Sequence, residues 1–418
     1  MLDQNARRLP STASDAALEV AEASSSKPDN LTTTKGTTGD PGRPLSLIAM
    51  LILNTKNLIV HYLIGRGLLP RQEVVDGSVT ILERTSRNRN FLVMRSGKPG
   101  YFVKHIQPDQ PASIMTLERE AACYDLMRQD PKFAALRALA PGMIAYDRLR
   151  YVLVLELLPD AENLGVYQTR ENRFPLDIAE RLGTALGSYH RNIGLSAGNG
   201  SAQAAAFPRA VPWILQFHQT QAEGIQTLSA ANAQLHAILN RYPDFGHKLD
   251  AVRAAWQADT LIHGDIKFEN CALFFPGGPG SPYDLKLVDW ETADFGDASW
   301  DVGSVFQAYL NSWLYSIPPT PGATAEQLEQ LARTPLSSIQ PAIRAFWRAY
   351  ADTMQLEAAQ SSQRLERCVL MAAGRMLQTV FEWMNRQPTL SANAMFQLQV
   401  SLNMLQRPSE AIQALLGI

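Results

Sequence analysis

Residues 261–289 read LIHGDIKFENCALFFPGGPGSPYDLKLVD and bring Asp265, Asn270 and Asp289 into one short stretch. Asp265 and Asn270 stand five positions apart on one expected loop, which lets both face the same cleft. The run Asp284-Leu285-Lys286-Leu287-Val288 alternates polar and apolar side chains, the pattern of a half-buried strand. That strand would return Asp289 to the same cleft. Pro276-Gly277-Gly278-Pro279-Gly280 reads as the hairpin turn before it. One carboxylate beside an attacking hydroxyl, with a second carboxylate and an amide oxygen on a hard cation, is the set that phosphoryl transfer from a nucleotide demands.

His263, Asp265, Asn270 and Asp289 resemble the signature of the aminoglycoside phosphotransferase and choline kinase-like family, relatives of the protein kinases. His263-Gly264-Asp265 in place of His-Arg-Asp, and Asp289-Trp290-Glu291 in place of Asp-Phe-Gly, point to the small-molecule branch. The resemblance implies an α+β, bilobal protein-kinase-like fold. Its N-lobe, residues 45–158, would be a small antiparallel sheet with one main helix that binds the nucleotide. Its mostly helical C-lobe, residues 159–418, would carry the catalytic loop and the acceptor-binding helices. The implied cofactors are ATP and Mg²⁺. In such a site Asp265 takes the proton of the acceptor hydroxyl, and Asn270 and Asp289 hold Mg²⁺. Lys267, two residues after Asp265, stands where Ser/Thr protein kinases carry a γ-phosphate lysine.

Composition agrees with a large globular protein. The 418 residues suffice for two lobes, and 46% hydrophobic against 19% charged residues argues against disorder. A formal net charge of −2 gives no electrostatic footprint for nucleic acid. Cys123, Cys271 and Cys368 are odd in number and widely spaced, which suits a reducing, cytoplasmic setting and neither a disulfide framework nor a zinc site. The first residues lack the apolar core of a secretory signal. The most apolar run, Leu45–Leu53, falls short of the ~20 residues that span a bilayer. It reads as a helix packed on the first lobe, with a peripheral membrane contact as the alternative.

From the N-terminus, residues 1–44 are rich in Ser, Thr, Gly, Asp and Pro and are expected to form a mobile tail. Leu58–Ile64 reads as a helix ended by Gly65 and Gly67. Three strands should follow at Val79–Leu82, Asn90–Met94 and Tyr101–Ile106, with Ser96–Gly100 as the turn between the last two. Lys104 lies in the third strand, where burial is costly unless the ammonium is paired. The resemblance makes it the lysine on the α- and β-phosphates, held by Glu120 of the Thr116–Met127 helix, with Glu118 as the alternative partner. No Gly-rich loop separates the first two strands. Arg84–Asn90 stands there instead, and Ser86, Arg87, Asn88 and Arg89 offer N–H groups and charge for a polyphosphate. Tyr151–Pro159 is an apolar strand. By the resemblance it ends in the hinge, where backbone groups of Glu156 to Leu158 meet an adenine edge.

The C-terminal part reads as helices over Leu176–Arg191, Trp213–Arg241 with a break near Gly224, and Gly246–Ala258. Thr324–Arg333, Ser338–Glu357, Ser362–Asn385 and Leu390–Leu405 complete the set. His190 is expected to pack or cap. Asp301 is expected to open a helix, since a carboxylate suits a helix N-terminus. In the resembled fold it is buried and supports the catalytic-loop backbone. Glu291, Asp294 and Asp297 either edge the substrate cleft or are solvated, and Glu382, Trp383 and Arg386 are candidates for the acceptor wall.

The expected activity is transfer of the γ-phosphoryl of ATP to a hydroxyl, on a small molecule or on Ser/Thr of a peptide. Lys267 favours the peptide. The tip Arg87-Asn88-Arg89-Asn90-Phe91 has a faint resemblance to kinase-like enzymes of ribosomal peptide natural-product biosynthesis, which phosphorylate Ser/Thr before elimination. The alternative is a nucleotide-binding pseudokinase that scaffolds a partner enzyme, a reading supported only by the missing Gly-rich loop.

Overall fold

The computed structural model describes residues 55–85, 89–194, 205–277, 281–318, 320 and 325–418. The expected tail 1–44, the Leu45–Leu53 run and the tip residues Ser86, Arg87 and Asn88 lie outside them. The described residues divide into two compact units, one of 55–117 and 144–157, the other of 118–143 and 158–418.

In the first unit, α1 (Lys56–Gly65) and α2 (Arg71–Val75) precede β1 (Val79–Thr85), β2 (Arg89–Arg95) and β3 (Lys98–His105). Helix α3 (Pro111–Gln129) carries the chain into the second unit, where α4 (Ala134–Leu139) follows. The chain then returns through β4 (Met143–Asp147) and β5 (Val152–Glu156). The five strands form one sheet in the order β1-β2-β3-β5-β4, antiparallel from β1 through β5. Alternation puts Phe91, Val93, Val103, Val152 and Val154 on one face, where they pack with Ile59, Tyr62, Leu63 and Leu69. Thr55 caps α1 by accepting the Leu58 N–H (3.3 Å).

Two features of this unit differ from the sequence reading. Gly97 adopts φ +65°, so the hairpin turns over Ser96-Gly97 alone, and Lys98 to Gly100 join β3 rather than the turn. Glu73, which carried no expectation, is buried and binds Arg95 (Nε–Oε2 2.8 Å) and Lys98 (Nζ–Oε1 2.6 Å). Those bonds to two cations hold its carboxyl below the usual range, at about 2, and pin α2 to the β2–β3 hairpin.

The second unit is mostly helical. Its elements are β6 (Glu162–Asn163), α5 (Leu164–Glu171), α6 (Leu176–Asn192), α7 (Ala222–Ile225), α8 (Ala230–Arg241), α9 (Pro243–Ala254), β7 (Thr260–Ile262), β8 (Cys271–Phe274), β9 (Asp284–Leu287) and β10 (Asp294–Gly296). They continue with α10 (Ala298–Leu314), α11 (Ala325–Leu331), α12 (Leu336–Met354), α13 (Ala358–Met384) and α14 (Ala392–Gln406). Strands β6-β8-β9 form one small sheet and β10-β7 another. The α10–α13 crossing is close: a Cβ on Gly303 would stand 2.7 Å from both the Cys368 carbonyl oxygen and the Ala372 nitrogen. Only glycine admits that approach.

Three expectations for this unit are corrected. Trp213–Gln219 is a 3₁₀ turn rather than α-helix, and the break falls after Ile225, where Ser229 caps α8 by accepting the Asn232 N–H (3.1 Å). Asp301 does not open α10. Asp297 caps it through the Ser299 N–H (2.9 Å), and Asp301 sits one turn further in. Glu291, Asp294 and Asp297 are buried, not solvated. Asp294 accepts the N–H groups of Arg209 (2.8 Å) and Ala210 (2.9 Å), while Asp297 pairs with Arg367.

An antiparallel sheet unit with a mostly helical one is the α+β class that the sequence implies. All three cysteines are buried, and burial raises the thiol pKa of Cys368 to about 12 and those of Cys123 and Cys271 as well. Among the described residues no helix is long and apolar enough to cross a membrane.

Candidate active site

The loop from His263 to Asn270 leaves β7 and enters β8, inside the second unit. Its shape begins with Gly264, whose φ is +80° and whose Cβ, if present, would lie 2.6 Å from the Thr292 carbonyl oxygen. Glycine therefore lets the loop pass against the segment that follows Asp289. The Thr292 hydroxyl donates to the His263 carbonyl (3.0 Å), and the Trp300 indole N–H donates to the Gly264 carbonyl (3.0 Å).

Asp301 supports this loop from below. Fully buried on α10, it accepts the His263 N–H on Oδ2 (2.7 Å) and the Gly264 N–H on Oδ1 (3.0 Å). The Tyr189 hydroxyl adds a third bond (2.8 Å), and His190 Nε2 lies 3.4 Å away. Burial alone would raise the Asp301 carboxyl. The His190 contact and these donors reverse that and lower it. His190 is thus a packed residue, as expected. The His263 side chain ties the two halves of the site together: Nε2 donates to the Val288 carbonyl (2.9 Å), and Nδ1 accepts the Asp265 N–H (3.3 Å).

Asp265 projects into a charged cluster. Lys267 Nζ reaches its Oδ2 at 2.7 Å and Arg375 Nη2, from α13, its Oδ1 at 3.0 Å. Burial pushes the carboxyl up, but the two cations outweigh it and hold it below the usual carboxylate range. Burial works against the Lys267 ammonium in the same way, and Asp265 and Glu382 raise it instead. Glu382, about two turns on from Arg375 along the same face of α13, is raised by burial, with Arg375 pulling partly the other way. Its Oε1 accepts the Gln378 amide (2.8 Å).

Asn270 closes the cluster. Its Nδ2 donates to the Asp265 carbonyl (2.9 Å) and to Asp265 Oδ2 (3.3 Å), which turns Oδ1 to the other side. The Val288 N–H donates to the Asn270 carbonyl (3.0 Å), so the residue before Asp289 is bonded directly to the loop. Asp289 is half-buried with φ +68°, a left-handed backbone rare for a non-glycine and enriched where strain serves a site. Among the described residues no cluster of three or more His, Cys, Asp or Glu is arranged to hold a metal. One carboxylate with one amide oxygen fits Mg²⁺, which takes its remaining ligands from phosphates and water.

Lys104 is buried on β3 of the first unit, and Glu120 is fully buried on α3 in the second. Glu118, the alternative partner, is half-buried. Glu156 is exposed at the end of β5, and Leu158 is half-buried just beyond it. Ser86, Arg87 and Asn88 fall outside the described residues. Arg375 was missed by the sequence reading. The signal for it was a lone arginine among Met371, Ala372, Ala373 and Met376, a charge on an otherwise apolar helix face.

No curated protein matches the sequence. Among solved structures, choline kinase LicA from Streptococcus pneumoniae is similar, at 13% identity and TM-score 0.43, over 82% of this chain and 99% of that one. A choline/ethanolamine kinase family protein from Mesorhizobium loti is similar at 15% and 0.45, over 84% and 95%. Macrolide 2'-phosphotransferase MphH from Brachybacterium faecium is similar at 15% and 0.44, over 83% and 98%. The sequence model described as the phosphotransferase enzyme family matches residues 78–350, a span that holds the five-stranded sheet, the His263–Asn270 loop, Asp289 and Asp301. With well over half of its length so matched, the chain belongs to the phosphotransferase enzyme family.

Proposed function

We propose that the protein transfers the γ-phosphoryl group of ATP to a hydroxyl, on a small molecule or on Ser/Thr of a peptide. The observation that carries this reading is the convergence of Asp265, Asn270 and the Asp289 segment around one loop, with Lys267 on the same carboxylate.

Asp265 is the residue that orients the acceptor hydroxyl and takes its proton. A depressed pKa suits that task, because in a loose transition state the hydroxyl releases its proton late. Lys267, bonded to Oδ2 and held cationic, would offer its remaining donors to the transferring group as charge develops there. Asn270 Oδ1 and the Asp289 carboxylate are the oxygen pair for Mg²⁺. When bound, that ion neutralises charge on the β- and γ-phosphates. Lys104 is assigned to the α- and β-phosphates, with Glu120 as its carboxylate counterpart, and the backbone from Glu156 to Leu158 to the adenine edge. Glu382 is assigned to the acceptor side, since it helps raise the Lys267 ammonium and its own carboxyl is raised by burial and by the Asp265 charge.

Thermal unfolding with ATP, Mg²⁺ and both together tests the nucleotide assignment. ATP consumption against peptides, amino sugars, choline-like alcohols and sugars tests the acceptor. Stabilisation by ATP plus Mg²⁺ beyond either alone is expected. Absence of any nucleotide effect would sink the reading.

A further inference from the structure

Arg375 sits in the middle of α13 and is 1% exposed. Its Nη2 donates to Asp265 Oδ1 at 3.0 Å, across 110 residues of sequence. Among the described residues Nε and Nη1 are buried without a hydrogen-bond partner, and the guanidinium carbon stands 5.8 Å from the centroid of the Trp300 ring. A buried cation with unmet donors costs stability, and apolar groups of similar volume often serve a core equally well or better. Packing therefore does not explain an arginine here. What the side chain does make is one charge-assisted bond to the carboxylate beside the expected reaction centre.

The surroundings hold that bond in place. The Thr379 hydroxyl donates to the Arg375 carbonyl (3.0 Å), and the Gln307 amide donates to that hydroxyl (3.0 Å), which ties α13 to α10 at this level. Trp300 lies beside the guanidinium while its indole N–H holds Gly264. The close crossing at Gly303 sets the spacing of the same two helices. Asp265 is thus gripped at both oxygens, by Arg375 on Oδ1 and by Lys267 and Asn270 on Oδ2.

We infer that Arg375 is a positioning residue for phosphoryl transfer: by holding Oδ1 it fixes the rotation of the Asp265 carboxylate, so that one orientation is presented to the acceptor hydroxyl. This rests on the reading of Asp265 as the proton acceptor. A locked carboxylate lowers the barrier by pre-organisation, an effect realised in turnover rather than in nucleotide binding.

The test uses the full chain and MgATP hydrolysis, with water as the acceptor. Arg375→Met leaves Asp265 paired with Lys267 alone, so Tm should fall somewhat; assayed well below that Tm, it should leave KM for MgATP within about twofold and lower kcat by about 30-fold or more. Arg375→Lys, which restores the charge with a shorter reach, should recover part of that loss. Arg375→Met with kcat within about threefold of wild type would overturn the inference, as would a kcat loss that only tracks a fallen Tm. Asp265→Asn separates the two ideas. If it loses hydrolysis while Arg375→Met does not, only the positioning role fails. If Asp265→Asn hydrolyses as well as the wild type, the underlying assignment fails and this inference with it.

Discussion

A single carboxylate gathers most of the chemistry, and its substitution gives the sharpest prediction. Asp265→Asn keeps the size and most hydrogen bonds of the side chain but removes the proton acceptor. Phosphoryl transfer should fall by roughly 10²-fold or more, while stabilisation by MgATP persists, as thermal shift and steady-state kinetics on one preparation will show. Asp289→Asn should do the reverse in part: the increment that Mg²⁺ adds to ATP stabilisation should shrink, because one of the two oxygen donors loses its charge. At this scale the sequence was readable where chemistry restricts the residue type. Asp265, Asn270 and Asp289 could be proposed because few side chains suit a hard cation and a hydroxyl. Arg375 could not, because its partner lies 110 positions away and nothing local to α13 announces the contact.

Helices and strands set the distances on which those groups depend. Gly303→Ala places a methyl group 2.7 Å from two α13 backbone atoms, and separating α10 from α13 should cost about 1–3 kcal/mol in unfolding measurements. Activity should fall further than stability alone predicts, since the same crossing sets Arg375 against Asp265. Strand β3 carries a pH dependence. His105 is 2% exposed, and burial, then the nearby Arg89 charge, push its pKa down from 6.5 to about 4. The folded state thus favours the unprotonated ring, and the unfolded chain takes up a proton first. The stability this provides is complete above about pH 6.5 and is lost as the pH falls towards 4, in total roughly 3 kcal/mol. Denaturant titrations over that range should show the loss in wild type and a weaker one in His105→Leu. Element boundaries were less legible than element types. Periodicity marked α6, α12, α13 and α14. It could not separate the 3₁₀ turn at Trp213–Gln219 from α-helix, because both can bury residues three apart, as Ile214 and Phe217 are here. The N-cap of α10 was misassigned to Asp301 because Asp297 and Asp301 are equally acceptable caps on paper. The choice was made by Arg367, Arg364 and the His263–Gly264 backbone, all distant in sequence.

For the molecule as a whole, ligand linkage is the useful measure. At an MgATP concentration 100 times its Kd the protein should gain about 2.7 kcal/mol, and Lys104→Ala should require more nucleotide for the same gain. Fold class was legible because an alternating N-terminal part and a helical C-terminal part need no long-range information. The acceptor was not, because the wall proposed for it is made of side chains of α13 that no local motif marks.

The three native thiols are all internal, and burial keeps each of them protonated. Reagents that need an accessible thiolate will find none on the folded chain. A cysteine placed at Trp383, which is 42% exposed beside Glu382, would then take up a maleimide dye alone, with no need to delete the native ones. Such a fluorophore would sit at the edge of the proposed acceptor wall, and candidate acceptors could be ranked by its emission before any product is identified.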